Sequence, residues 1–141
     1  MFNTTIATQI YAKICFEATN SQKKIIENLS EYLSDDDFSR IFVLNGFAGT
    51  GKTTLIAAVV AALKELRIKP VLLAPTGRAA KVLARYCGEQ ALTIHKRIYR
   101  QRTNADYESK FSLDFNREQG AVFIVDEASM LSDSTGDGAL F

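Results

Sequence analysis

Apolar residues recur along this chain in two rhythms, a helical one and a strand one, and the two alternate. Ile6, Ile10 and Ile14 fall at i, i+4 and i+8 and suggest a short helix within residues 1–20. Residues 21–33 carry a clearer stripe of Ile25, Ile26, Leu29 and Leu33, with Ser21 as the expected N-cap. The acidic triplet 35–37 ends that helix as a loop. The run Ile41-Phe42-Val43-Leu44-Asn45 then reads as a first, buried strand. Residues 53–67 are apolar almost all round, with Leu55, Ile56, Val59, Val60, Leu63 and Leu66 on one side and alanines filling the rest, the pattern of a helix buried on several sides. Lys64 and Arg67 are expected in its last turn, where positive charge complements the helix dipole. Pro70 stops the helix, and 71–74 form a second strand. A helix from Gly77 to Cys87 follows, with Gly88 as the expected C′ residue. The helical wheel puts Ala79, Val82, Leu83 and Tyr86 on one face and Arg78, Lys81 and Arg85 on a neighbouring one. A further helix is expected over 93–100 and a half-buried strand over 111–115. The continuous apolar run 121–125 reads as a strand ending in Asp126-Glu127. Strands alternating with helices imply an α/β fold, with a mainly parallel sheet covered by helices on both faces.

The loop between the first strand and the long apolar helix reads Gly-Phe-Ala-Gly-Thr-Gly-Lys-Thr over 46–53, a complete match to the phosphate-binding pattern G-x-x-x-x-G-K-[ST]. Its strand–loop–helix setting is the one in which that pattern carries meaning. Glycines at 46, 49 and 51 let the backbone curl closely around phosphates. The amides they free, at the positive end of a helix, attract anionic oxygen. Gly46, Ala48, Gly49, Thr50, Gly51, Lys52, Thr53 and Thr54 are therefore the expected contacts of a nucleoside triphosphate, ATP. Lys52 would bridge the β- and γ-phosphates and the Thr53 hydroxyl would ligate Mg²⁺. Asp126 closes a hydrophobic strand, where its carboxylate would hold Mg²⁺, and Glu127 beside it would activate the attacking water.

Bulk properties narrow the setting. The chain has 141 residues, 47% hydrophobic and 23% charged, the composition of a soluble globular domain. Its net charge of +1 leaves no global basic field, so any nucleic-acid affinity must come from local patches. Cys15 and Cys87 lie far apart without metal-ligand spacing and read as reduced thiols. The longest apolar run, 55–63, is too short to span a bilayer, and the N-terminus lacks a secretory pattern. The expected location is the cytoplasm.

Four motifs occur in order: the glycine-rich loop, Leu-Ala-Pro-Thr-Gly-Arg-Ala-Ala-Lys-Val-Leu (73–83), Thr-Ile-His-Lys (93–96) and Ile-Val-Asp-Glu-Ala-Ser-Met-Leu (124–131). Together they resemble the RecD-like branch of superfamily 1B DNA helicases, the exonuclease V alpha-subunit family, over roughly residues 19–131. The resemblance implies a RecA-like three-layer P-loop NTPase fold, incomplete in this chain, with 1–20 as an N-terminal segment and 21–141 as the N-terminal part of the first motor domain. It implies ATP hydrolysis coupled to 5′-to-3′ movement on single-stranded DNA, a setting in DNA repair and recombination, and partners in a nuclease–helicase complex. It assigns Gln22 to adenine recognition. It places Pro75, Thr76, Gly77, Arg78, Thr93 and His95 against the strand, with Lys81, Lys96, Arg97, Arg100 and Arg102 as additional phosphate contacts.

Family members continue beyond this length with a second RecA-like domain that supplies an arginine to the transferring phosphoryl group. They also insert a strand between the phosphate-loop strand and the Asp-Glu strand. That strand has no candidate here, so the resemblance implies an N-terminal piece of a helicase, with a gap in its sheet and little ATPase activity by itself. Two rival readings remain open. A P-loop nucleotide kinase would need an acceptor site and an arginine-bearing lid, for which no segment stands out. A non-catalytic ATP- or DNA-binding module would bind without turnover.

Overall fold

The computed structural model describes residues 2–37, 39–46, 49, 51–102, 110–113 and 120–131, and divides into two compact units, Met1–Lys69 and Pro70–Phe141.

The first unit is helical. Helix α1 (Phe2–Lys13) packs against α2 (Asn20–Leu33) and α3 (Lys52–Glu65). The isoleucine spacing explains why: Ile6 and Ile10 are fully buried, as are Ile26 of α2 and Val60 and Leu63 of α3. The one buried polar side chain among the described residues, Ser30, donates its hydroxyl to the Ile26 carbonyl at 2.7 Å, so nothing polar is left unpaired in this core. Helix α2 begins two residues earlier than a cap at Ser21 would allow. Its N-cap is Thr19, whose hydroxyl accepts from the Gln22 amide at 3.3 Å while the Gln22 side chain accepts from the Thr19 amide at 2.9 Å. The reciprocal pair satisfies two helix-end groups at once, and Ser21 has no such partner three residues on. Arg67 lies past the end of α3 with φ 59°, so of the two expected cations only Lys64 is in the last turn.

The residues after α2 fold back on it. The Tyr32 hydroxyl donates to the Arg40 carbonyl at 2.9 Å, and its ring lies 5.5 Å from that of Phe42. Arg40 pairs with Asp35 and Asp37. Hydrogen bonds from the Ser39 side chain and backbone hold the Asp37 carboxyl below its ordinary range.

Residues 41–45 form no strand, contrary to the reading of that apolar run. A strand exists only where a neighbour completes its ladder, and no described residue does so here. Ile41 and Val43 stand 76% and 70% exposed, while Phe42 and Leu44 between them are half-buried.

The second unit is built on a parallel sheet of order β2–β1–β5, from β1 (Pro70–Ala74), β2 (Ala91–Thr93) and β5 (Val122–Val125). Leu72 pairs with both Ala91 and Ile124, which fixes β1 at the centre. Its residues 71–74 are all buried, as a central strand requires. Helix α4 (Gly77–Cys87) packs on β1 and β2 and ends at Gly88, whose φ of 64° closes the helix in the left-handed region. The expected helix over 93–100 is divided instead among the end of β2, a five-residue helix α5 (Ile94–Ile98) and β3 (Tyr99–Arg102). Ile94 and Ile98 supply the helical spacing and pack on Val71 and Leu73. Beyond them the chain turns into an antiparallel pair of β3 with β4 (Lys110–Leu113), which overlaps the expected strand at 111–113, while 114–115 lie outside the described residues. Strand β5 alternates half-buried and exposed residues rather than being buried throughout, with Phe123 and Val125 exposed. Among the described residues its edge away from β1 carries no partner. The segment 132–141 lies outside the described residues.

Ile10 gives a direct test of the helical unit. Ile10→Ala should lower unfolding stability by about 2–5 kcal/mol, measured by denaturant titration, because it deletes a fully buried branched side chain. Thr8→Ala on the exposed face of the same helix should stay within about 0.5 kcal/mol.

Candidate functional site

Four helix starts carry the chemistry of this chain, and they are capped in two different ways. Helices α2, α4 and α5 each begin at a threonine whose hydroxyl accepts a backbone N–H: Thr19 from Gln22, Thr76 from Ala79 at 3.2 Å, and Thr93 from Lys96 at 3.2 Å. Helix α3 begins at Gly51, which has φ 80° and no side chain to offer. Its first-turn amides therefore present the positive end of a 14-residue helix without a capping oxygen.

The glycine loop leads into that helix end. Gly49 and Gly51 both sit at φ 80°, a region in which any other residue is strained. A Cβ at Gly51 would also come within 3.2 Å of the Gln22 side-chain nitrogen, which would have to shift by a few tenths of an ångström. The Lys52 ammonium donates to the Gly46 carbonyl, which folds its side chain back across the loop. Lys52 and Thr53 occupy the first turn of α3 and are half-buried, and Thr54 is exposed. Ala48 and Thr50 lie outside the described residues. A cation folded across the loop, a helix end without a side-chain cap and left-handed glycines are the features a phosphate group needs, so this loop fits a nucleoside triphosphate.

Gln22 stands beside the loop with its functional group divided. Its carbonyl oxygen is engaged by the Thr19 amide, and its amide nitrogen lies at Gly51. Pairing with an adenine edge would require that oxygen to share or release the capping bond.

In the second unit, the parallel register gathers the other singled-out residues at one end of the sheet. Ala74 pairs with Thr93, and Leu73 pairs with Val125. The segment 75–77, Thr93 with His95, and Asp126 with Glu127 thus all follow the carboxyl ends of neighbouring strands, where open α/β sheets bind their ligands. Thr76 and Thr93 serve as caps by accepting. Each hydroxyl keeps its own proton to donate outward, so a structural role and a phosphate contact are compatible. Pro75 is half-buried, while Gly77, Arg78 and His95 are exposed.

Asp126 is tied to the sheet: its amide donates to the Leu73 carbonyl at 3.0 Å, and its carboxylate accepts from the Glu127 amide at 3.0 Å. Glu127 adopts φ 55°, ψ 40° and opens a 3-10 turn, Ala128–Met130. A left-handed non-glycine residue costs roughly 1–3 kcal/mol, and here that conformation leaves the Glu127 carboxylate exposed at the strand end. Cys87 feels this carboxylate end. Burial, then Asp126, then Glu89 push its thiol above the ordinary value, which keeps it protonated and unreactive. Among the described residues no cluster of three His, Cys, Asp or Glu is arranged to hold a metal ion. Thr53 in the first unit and Asp126 in the second each offer a hard oxygen of the kind that suits Mg²⁺.

Two of these features escaped the sequence reading. Thr19 was signalled by a threonine three residues before a glutamine. The wheel gave Val82 and Tyr86 a shared face but not its orientation, and they stand outward, 45% and 61% exposed. The buried face is centred instead on Ala80 and Leu83. No described helix is long and apolar enough to cross a membrane.

Comparison with known proteins agrees with this geometry. Residues 17–140 match the AAA domain family. The chain is 30% identical over 114 residues, 81% of its length, to the ATP-dependent RecD2 DNA helicase of Deinococcus radiodurans, of which it covers 15%. It is 37% identical over 92 residues, 62% of its length, to the ATP-dependent DNA helicase dda of Enterobacteria phage T4, of which it covers 20%. It thus spans only a small part of the length of either relative. With glycine loop, parallel sheet and family match in agreement, the chain belongs to the AAA-domain family of P-loop NTPases, and within it resembles the RecD-like superfamily 1 helicases.

Proposed function

We propose that this chain forms the ATP-binding part of a DNA helicase motor, in which ATP hydrolysis is coupled to movement along single-stranded DNA. The observation that carries this reading is the glycine loop opening into α3, with Gly49 and Gly51 left-handed, no side-chain cap, and Lys52 folded over the Gly46 carbonyl. The likeness to two ATP-dependent DNA helicases supports the DNA half of the reading.

Bound MgATP would supply the phosphoryl group and the metal charge that the chain itself lacks. The loop amides and the α3 end bind the phosphates, and Lys52 exchanges the Gly46 carbonyl for phosphate oxygen. Thr53 and Asp126 are the Mg²⁺ ligands of this reading, and Gln22 orients the base. Glu127 positions the attacking water and accepts its proton as the new P–O bond forms and the β–γ bridging bond breaks, with ADP leaving. Pro75, Thr76, Gly77, Arg78, Thr93 and His95 contact single-stranded DNA at the carboxyl end of the sheet. The setting that follows is cytoplasmic DNA repair and recombination, with nuclease–helicase subunits as the candidate partners. In domain terms, 21–141 would be the N-terminal part of a first motor domain, preceded by 1–20.

Two substitutions in the intact protein test the chemistry. Lys52→Ala should lower ATP turnover by at least about a hundredfold while circular dichroism and melting stay at wild-type values; turnover that persists in a folded variant removes the loop from catalysis. Glu127→Gln should retain Mg-ATP affinity and slow hydrolysis by roughly two to four orders of magnitude. Loss of affinity with normal turnover of bound ATP would assign Glu127 to binding instead.

A further inference from the structure

A free glutamine side chain is a poor reader of a base. Its amide can turn over and exchange the accepting oxygen for the donating nitrogen, so the two ends carry opposite information. Gln22 is not free. Its Oε1 accepts from the Thr19 backbone N–H at 2.9 Å, and the Thr19 hydroxyl accepts in turn from the Gln22 backbone N–H at 3.3 Å. Turning the amide over would set its NH₂ group against the Thr19 N–H, donor against donor, so the cap fixes which end is which. The nitrogen is the end that reaches the phosphate loop: Nε2 lies 3.2 Å from where a Cβ on Gly51 would stand. Among the described residues Nε2 donates no hydrogen bond. Oε1 keeps a second lone pair, since a carbonyl oxygen accepts twice. Thr19, Gln22 and Gly51 all lie in the first unit.

We infer that Thr19 is a positioning residue for base recognition: its backbone N–H holds the Gln22 carboxamide in one orientation, with the oxygen shared between the α2 cap and the base and the nitrogen donating at the loop. The inference rests on the reading of Gln22 as the residue that orients the base, and extends it to a residue that acts through Gln22 alone. Adenine offers an amino hydrogen and the N7 acceptor side by side, which match a fixed oxygen and nitrogen. Guanine offers two acceptors on the same edge, O6 and N7, and its O6 would face the held oxygen. A carboxamide tied to its cap cannot turn to relieve that repulsion, so a helix-end hydrogen bond becomes a source of selectivity for adenine over guanine. The shared oxygen also links the two ends of the device. A base that draws on Oε1 is felt at the Thr19 N–H.

The test measures affinities of the intact protein for Mg-ATP, Mg-GTP and inorganic triphosphate. Thr19 is exposed and has φ −65°, an angle that proline adopts, so Thr19→Pro deletes the N–H without forcing the backbone. Thr19→Ala deletes only the hydroxyl, and Thr19→Ser keeps both groups. In Thr19→Pro the ATP-to-GTP affinity ratio should fall about fivefold, the usual worth of one hydrogen bond, with triphosphate affinity unchanged. In Thr19→Ala and Thr19→Ser the ratio should hold, although Thr19→Ala melts lower for want of its cap. A ratio unchanged in Thr19→Pro, or one that falls equally in Thr19→Ala, would overturn the assignment and leave Gln22 as the base contact. A second measurement needs no proline. The Thr19 amide resonance of the unaltered protein, labelled selectively with heavy nitrogen, should shift further with Mg-ATP than with inorganic triphosphate, because only the base reaches Oε1. Equal shifts would overturn the link even where the proline variant does not fold. A parent protein that binds ATP and GTP alike would remove the inference together with the role of Gln22, with the phosphate loop intact. One that binds neither ATP nor triphosphate would remove the ATP reading itself.

Discussion

The first-turn amides of α3 lack a side-chain oxygen because Gly51, at φ 80°, brings none to cap them. That gap in hydrogen bonding governs the chemistry of the helical unit. A threonine there, as at the heads of α2, α4 and α5, would satisfy one amide and place an oxygen where an anion should lie. Glycine leaves the amides to a ligand and brings the backbone close to it. Lys52 meanwhile rests on the Gly46 carbonyl, so its charge is held at the loop before any phosphate arrives. The burial of Val60 and Leu63 against the rest of the unit keeps the helix end in place, because an anion site made of backbone is only as rigid as the helix that carries it.

The sheet unit solves a different problem by register. Three parallel strands of unequal position end together, and each is followed by a residue that accepts or donates at its carboxyl end: Thr76 after β1, Thr93 at the end of β2, and Asp126 after β5. The two threonines act on their helices and still have a proton to give. Asp126 holds the Glu127 amide, and the left-handed turn at Glu127 leaves its carboxylate outward. The residue before it, Asp126, is anchored by the bond from its amide to the Leu73 carbonyl.

Much of this was legible in the residues, because it was local. Pro70, Gly88 and the alanine-rich run gave α3, β1 and α4 to within a residue or two, and the glycine loop declared itself by spacing. The errors have non-local causes. Residues 41–45 have the composition of a strand, but a strand needs a partner, and the pairing of distant segments leaves no trace in a five-residue window. Residues 93–100 carry helical spacing at Ile94 and Ile98, yet the register that pulls Thr93 into β2 and the pairing that pulls Tyr99 into a hairpin are set elsewhere in the chain. On α4 the wheel grouped the residues into faces and left open which face is buried. The buried arc is centred on Ala80 and Leu83, which turned Tyr86 and Val82 outward. Thr19 was a miss of a different kind, since the capping box with Gln22 was readable and Ser21 was preferred on position.

If the bare end of α3 and its glycine loop are what hold the ligand, affinity must come from the distal phosphates rather than from the base. Calorimetric titration of the intact protein with Mg-ATP and with AMP isolates that term. The account predicts that ATP binds at least about a hundredfold tighter than AMP, since only ATP carries β- and γ-phosphates to the loop amides and Lys52. Equal affinity for the two nucleotides would contradict it.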